Sequence, residues 1–490
     1  MQKFNISTDT ISTAKQTNLK KSLWLSSAAA IAVSIAAVPA HAQIEIVDDT
    51  PVENPGGQTV NAAEGVTQTV NDGDNIELED NTNDNTVITN AGTLINNDED
   101  DEDVVIFIDN SEDDVSITNA ATGILRGVDG VIFQEGDALT LVNEGLIEGT
   151  GNATEGVVYF DRDADGEVNS ITNSGTITGV GGPTIGVDTL LGTDPSTGVV
   201  GDEEGIARFT LVNTATGVIS NTDTADDGDS DAINFNGDPG TTGGEARGCL
   251  EDSGARVLCQ VEVDITNAGE ISTARDSGSN AAIRFESDVV VSGTITNEAT
   301  GNITGASNGI IVNGAHSDHA LTITNSGTIE GTSQAGVEIT GAGVTLNNLA
   351  GGTIIGGDAG VEIASTSITI DIGPSNMNDV AVAAIGNTFV NAGTISGGNA
   401  SVDASGAGEG ITFEQQGGAL TGDFLGSTGF TDTLNFTTAD FTLTHDILQD
   451  VNVNVASGVD FAVSGARVIN GNLFSEGALS FVLGLSLIHI

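Results

Sequence analysis

The chain has 490 residues, with 12 Lys and Arg against 70 Asp and Glu, and a formal net charge of −58 at pH 7. A field of that sign excludes nucleic acid as a partner and disfavours anionic lipid, while it favours solubility and attracts divalent cations. With 1 Trp, 1 Tyr and 16 Phe, the chain is poorer in aromatics than a globular enzyme of its length; it suits thin layers filled by Ile, Val, Leu and Ala.

Residues 1–42 have the pattern of a secretory leader. Lys20 and Lys21 supply the positive region, Leu23 to Val38 the apolar stretch, and Ala40-His41-Ala42 a small-x-small cleavage site that would leave Gln43 as the new N-terminus. The apolar stretch is short for a retained membrane anchor. All four lysines and the only tryptophan, Trp24, lie in this leader, so the mature chain is more acidic still and carries no lysine. Residues 43–87 are polar with weak periodicity and are expected to form either a first ragged coil and cap or a disordered lead. The acidic run Asp98 to Asp103 reads as a solvated loop ahead of the apolar Val104 to Ile108.

A repeat dominates residues 88–400. Its fullest form is Thr322-Ile323-Thr324-Asn325-Ser326-Gly327-Thr328-Ile329-Glu330-Gly331. Alternating apolar and polar residues mark a half-buried strand, and Asn followed by Gly marks a sharp corner. The corner recurs at Asn90, Asn119, Asn143, Asn173, Asn213, Asn267, Asn297, Asn325, Asn348 and Asn391, in some copies with two residues inserted before the glycine. A second motif, such as Gly309-Ile310-Ile311-Val312 or Gly336-Val337-Glu338-Ile339, follows most of these asparagines after 11 to 13 residues. Three short strands per repeat predict an all-β right-handed parallel β-helix, a solenoid with loop insertions. Asparagines stacked at one corner are expected to satisfy one another as an amide ladder.

Two insertions are expected, at Val187–Glu204 and Asn221–Cys259. The second holds Cys249 and Cys259, the only cysteines, and in an exported chain these are expected to form a local disulfide. Residues 401–484 change to shorter strands that read as the terminal, stabilising coils. Leu485 to Ile490 matches what a common sequencing adapter encodes in one frame, so the last six residues are expected to be an artefact.

Groups suited to catalysis are scarce, and no catalytic residue is assigned. Past the leader the histidines are His316, His319, His445 and His489. Asp276-Ser277-Gly278-Ser279 and Gly228-Asp229-Ser230 echo hydrolase motifs without the context those need. No cofactor is required, but calcium is suggested by Asp161-Arg162-Asp163-Ala164-Asp165-Gly166-Glu167, where Asp161, Asp163, Asp165 and Glu167 follow the spacing of a calcium loop. Thr172 stands where that loop would carry its bidentate Glu, so the expected site is weak. Arg162, beside these acids, is the best-placed base for a polysaccharide lyase.

The leader, the Ile-Thr-Asn-x-Gly-x-Ile repeat and the acidic, cysteine-poor composition together resemble the passenger domain of a bacterial autotransporter (type V secretion). That resemblance implies export through the periplasm to the cell surface, outer membrane or medium. It also implies a C-terminal β-barrel partner that residues after 470 do not supply, and a host or environmental surface or glycan as the target. A structural or adhesive role without catalysis is the leading expectation. A secreted carbohydrate-active β-helix enzyme is the alternative; a cluster of coplanar acids and arginine in one lateral groove would favour it, and a smooth, acid-coated rod would favour the structural role.

Overall fold

The computed structural model describes residues 43–53, 55, 57–71, 73–78, 85–98, 104–109, 114–128, 130–135, 138–152, 156–160, 168–188, 207–224, 230–236, 249–250, 256–257, 259–276, 280–286, 289–313, 320–341, 343–364, 366–371, 377–382 and 386–482. Of residues 249–260 and 366–382 only the backbone is described. The described residues contain no helix. They form an all-β parallel β-helix in which each coil lays one strand on each of three rows.

The first row holds the strands that end in the corner asparagines, such as Val115–Asn119, Cys259–Asn267, Val289–Asn297 and Ala320–Asn325. The second follows the corner, as in Ile124–Gly127, Asn302–Gly305 and Thr328–Gly331. The third carries the second sequence motif, as in Ile132–Gln134, Asn308–Val312 and Val337–Ile339. A strand returns to its row only after a full coil, so neighbours within a row run parallel and in register. Ile265 is partnered by Ile295, Ile295 by Ile323, and Ile323 by Leu346.

Strand alternation sends one side chain inward and the next outward. Ile88, Ile117, Leu141 and Ile171 fill one inner column, and Leu125, Ile147, Ile177 and Ile219 fill another, all at 0 or 1% exposure. Burying each is worth roughly 1.5–3 kcal/mol, so stacked coils make a core from residues that no single coil could bury. Polar residues interrupt these columns in places, as Gln68 does beside Leu94. Gln134 sits in an inner column between Ile108 and Phe160, fully buried, with neither amide atom hydrogen-bonded.

The structure refines the sequence expectation in three places. The stack reaches the N-terminal segment: Gln43–Ile46 pairs with Thr59–Ala62, and Thr59–Ala62 with Val87–Asn90, in the first row. The segment Asn221–Cys259, expected as a loop, contains Ile233–Asn236, a regular third-row strand paired with Ile185–Asp188 and Ala281–Phe285. Its motif was hidden because Ala232 and Ala282 replace the glycine that opens most copies. Among the described residues two antiparallel hairpins also interrupt the stack. Cys249–Leu250 pairs with Arg256–Val257, and Thr366–Asp371 with Met377–Val382.

Residues 412–482 continue the rows in narrower coils, and phenylalanine replaces isoleucine inside. The rings of Phe436, Phe441 and Phe461 pack with centroids 4.5–6.1 Å apart.

Candidate functional site

Two of the columns that run along the stack are built on opposite principles. The first is the asparagine corner. All ten motif asparagines lie in register at one corner and are 0 or 1% exposed. The Nδ2 of each donates to the Oδ1 of the next, beginning with Asn90 to Asn119 and Asn119 to Asn143, both at 2.8 Å. The series runs on through Asn173, Asn213, Asn267, Asn297, Asn325 and Asn348 to Asn391, every step at 2.8 or 2.9 Å. It ends on Gln415 Oε1 at 2.9 Å. The second amide proton donates to a main-chain carbonyl one coil on, as Asn119 does to Leu146 and Asn297 to Thr328. Each amide is thereby satisfied by its own copies, which is what burial of a polar group demands.

The glycine after the asparagine is required by space rather than by an unusual φ. A Cβ on Gly123 would collide with Asn119 Oδ1 and the Asn90 carbonyl, and one on Gly327 with the carbonyls of Gly301 and Glu298. In the longer corners the threonine before the glycine caps the coil below. Thr122, Thr216 and Thr300 donate to the carbonyls of Ala91, Ser174 and Ala268 at 2.8–2.9 Å. These asparagines are structural.

The second column is the outward face of the third row. Register places Phe107, Phe133 and Tyr159 in succession, then Gly186, Asn234, Arg284, Ile311, Glu338, Glu362 and Asp403. Successive positions are one coil apart, about 4.8 Å. Phe107 and Phe133 stack at 5.7 Å, and the Tyr159 hydroxyl donates to Asp188 at 2.8 Å. Arg284 lies 3.6 Å from Asp231 and 2.8 Å from Glu286. Asp231, fully buried, also accepts from the Ala281 amide at 2.6 Å and from Asn234 Nδ2 at 3.0 Å. Asn234 is 5% exposed, and its Oδ1 has no hydrogen-bond partner.

Three carboxylates end the column. Burial, and then the neighbouring Glu362, push the Glu338 carboxyl up to about 7 against the opposing pull of Arg284. Burial, and then Asp403 and Asp358, raise Glu362 as well. Burial first, and like charge one coil away second, make ionisation of Glu338 and Glu362 harder than that of a free carboxyl. A carboxyl that keeps its proton near neutrality beside a carboxylate can donate a hydrogen bond or a proton.

Other residues of interest fall as follows. Asp161, Asp163, Asp165 and Glu167, with Arg162, lie outside the described residues, as do His316, His319, His489 and the leader. So do the side chains of Cys249 and Cys259. Ser230 is fully buried; its Oγ donates to Asp223 at 3.0 Å and accepts from Arg275 at 3.2 Å, a locked corner rather than an open nucleophile. The acidic column had a signal in the sequence: Val337-Glu338-Ile339 and Val361-Glu362-Ile363 place Glu at one offset in consecutive repeats. Arg284 had none, because its strand opens on Ala281-Ala282.

Fold and columns together define a parallel β-helix with a neutral amide spine and one charged lateral strip. Comparison with family models, with curated proteins and with solved structures gave no match.

Proposed function

We propose that the chain is an exported β-helical passenger of the autotransporter type, displayed at the cell surface or released, with a structural or adhesive role. The observation that carries this reading is the amide ladder from Asn90 to Asn391. Buried inside the stack, it supports a regular succession of coils, whose repeated outer faces suit display better than enclosure of a substrate. The charge of −58 keeps such surfaces soluble and apart. In this reading the leader ends at Ala42, a β-barrel partner carries the chain outward, and Cys249 and Cys259 close a local disulfide. Calcium at Asp161, Asp163, Asp165 and Glu167 pins one loop. Expression in a bacterium with two membranes, followed by fractionation and N-terminal sequencing, tests it. Export with Gln43 as the first residue is expected; retention in the cytoplasm with Met1 in place contradicts it.

One observation favours a second reading, a carbohydrate-active enzyme on the same fold. Arg284 and the carboxyls of Glu338, Glu362 and Asp403 share one lateral strip, and paired carboxyls with one proton are the equipment of glycoside hydrolysis. Release of reducing ends from a polysaccharide, abolished by Glu338→Gln, would establish it.

A further inference from the structure

The outward face of the first row differs in kind from the other two. Two ranks of partly exposed side chains stand on it, one and three places before each corner asparagine. One rank runs through Ser170, Thr210, Asp264, Thr294 and Thr322. The other runs through Thr172, Val212, Thr266, Thr296 and Thr324. Between Ser116 and Thr388 the only ionisable group in either rank is Asp264, in a chain with 70 Asp and Glu. The acids stand on the other faces: Glu148, Glu270 and Glu330 on the second row, Glu338, Glu362 and Asp403 on the third. Asp264 itself accepts from Thr294 Oγ1 at 3.0 Å. The face is also the regular one. From Ser116 to Thr388 its strands pair without a shift of register, whereas the second row shifts between Glu148 and Asn152 and the third between Glu362 and Ala364.

The chemistry of this face selects its partner. A threonine in a strand is stiff at χ1, so its hydroxyl and methyl are held in fixed places, and valine keeps the same contour where it interrupts a rank. Hydroxyls therefore recur at about 4.8 Å along the stack and roughly 6.6 Å across it, two residues apart on one strand. Each hydroxyl can donate once and accept twice. The methyls between them offer water no hydrogen bond, so the first water layer must bond to the hydroxyl ranks and to itself. A neutral face gives ions nothing to pair with. It has no Trp, Tyr or Arg in these ranks to anchor a protein. What matches it is a partner that is flat, uncharged, periodic in two directions and able both to donate and to accept. A crystal face of ice has these properties, and its oxygens repeat at spacings near those of the two ranks.

We propose that the threonine face of the first row, from Ser116 to Thr388, binds ice, with the two hydroxyl ranks holding a water layer that joins the crystal. The inference goes beyond the display reading and does not depend on it. Ice growth in solutions of the purified full chain tests it, by the gap between melting and freezing temperatures of a single seed crystal and by the crystal's shape. Faceted crystals and a gap that widens with protein concentration are expected. Thr296→Lys and Thr324→Lys, each placing a long charged side chain on the face, should abolish the gap. Glu330→Lys, on the outward side of the second row, adds the same side chain elsewhere and should leave the gap unchanged. Melting curves of all three variants accompany the measurement, and the two threonine sites stand in for each other if one substitution disturbs the fold. Rounded crystals that grow at the melting point in the unaltered chain overturn the proposal. So does an equal gap in a folded Thr296→Lys or Thr324→Lys. Sedimentation that shows a dimer of the unaltered chain, dissociated by Thr296→Lys, would assign the face to a second copy and overturn it too.

Discussion

The asparagine corner and the outward strip of the third row are made by the same operation, translation of one residue by one coil, with opposite results. An amide carries both donor and acceptor, so each copy completes the next and the column needs no water. A carboxylate carries acceptors only, so each copy opposes the next, and that repulsion adds to burial in raising the Glu338 and Glu362 carboxyls. A solenoid amplifies whatever chemistry it repeats. Residues that satisfy themselves become its spine, and those that do not are left to the outer face.

The comparison breaks most severely if the spine is given a charge. Asn297→Asp replaces an amide that donates to Asn325 and Thr328 with a buried carboxylate that has no proton to give. Loss of about 3–5 kcal/mol at pH 7 is expected, read from denaturant unfolding, with much of it recovered when the carboxyl is protonated at low pH.

The outer strip should respond to pH in the same direction, and there it is the amide that stabilises at high pH. Glu338 has its folded pKa raised from 4.5 to about 7. The stability this contributes is fully present below pH 4.5, falls as pH rises, and is lost once pH passes about 7. The whole difference is about 3 kcal/mol. Glu338→Gln, which keeps the neutral form, should flatten that slope, leaving stability near pH 4 unchanged and raising it at pH 8. Unfolding curves across that range check both.

A smaller effect comes from an inner position that obeys neither principle. Gln134 is buried among apolar neighbours without a partner for either amide atom. Gln134→Leu should stabilise by about 1–2 kcal/mol, seen as a higher melting temperature. A decrease would show that the amide is satisfied in solution.

The sequence made the spine legible and left the strip obscure, for physical reasons. The Asn corner announces itself because Asn and Gly break the strand at the point where they also perform the structural task. Gln415, which ends the ladder, lacks that signature, since Gln415-Gln416-Gly417 contains no asparagine. The strip depends on register between strands separated by long insertions. Asp231 meets Arg284 only because Ile233–Asn236 lies on the third row, and that strand is masked in the sequence by an alanine where a glycine is usual. Glu338 and Glu362 were visible as a repeated offset, but the raised pKa of Glu338 comes first from burial, which the sequence pattern does not report.

The most direct test of the account is whether the spine is one continuous ladder. A double-mutant cycle between Asn297 and Asn325, which are bonded at 2.9 Å, can be compared with a cycle between Asn119 and Asn348, many coils apart. Alanine at each site should cost about 1–3 kcal/mol. The adjacent pair should then couple by at least about 0.5 kcal/mol while the distant pair adds within error. Simple additivity in both cycles would contradict the ladder.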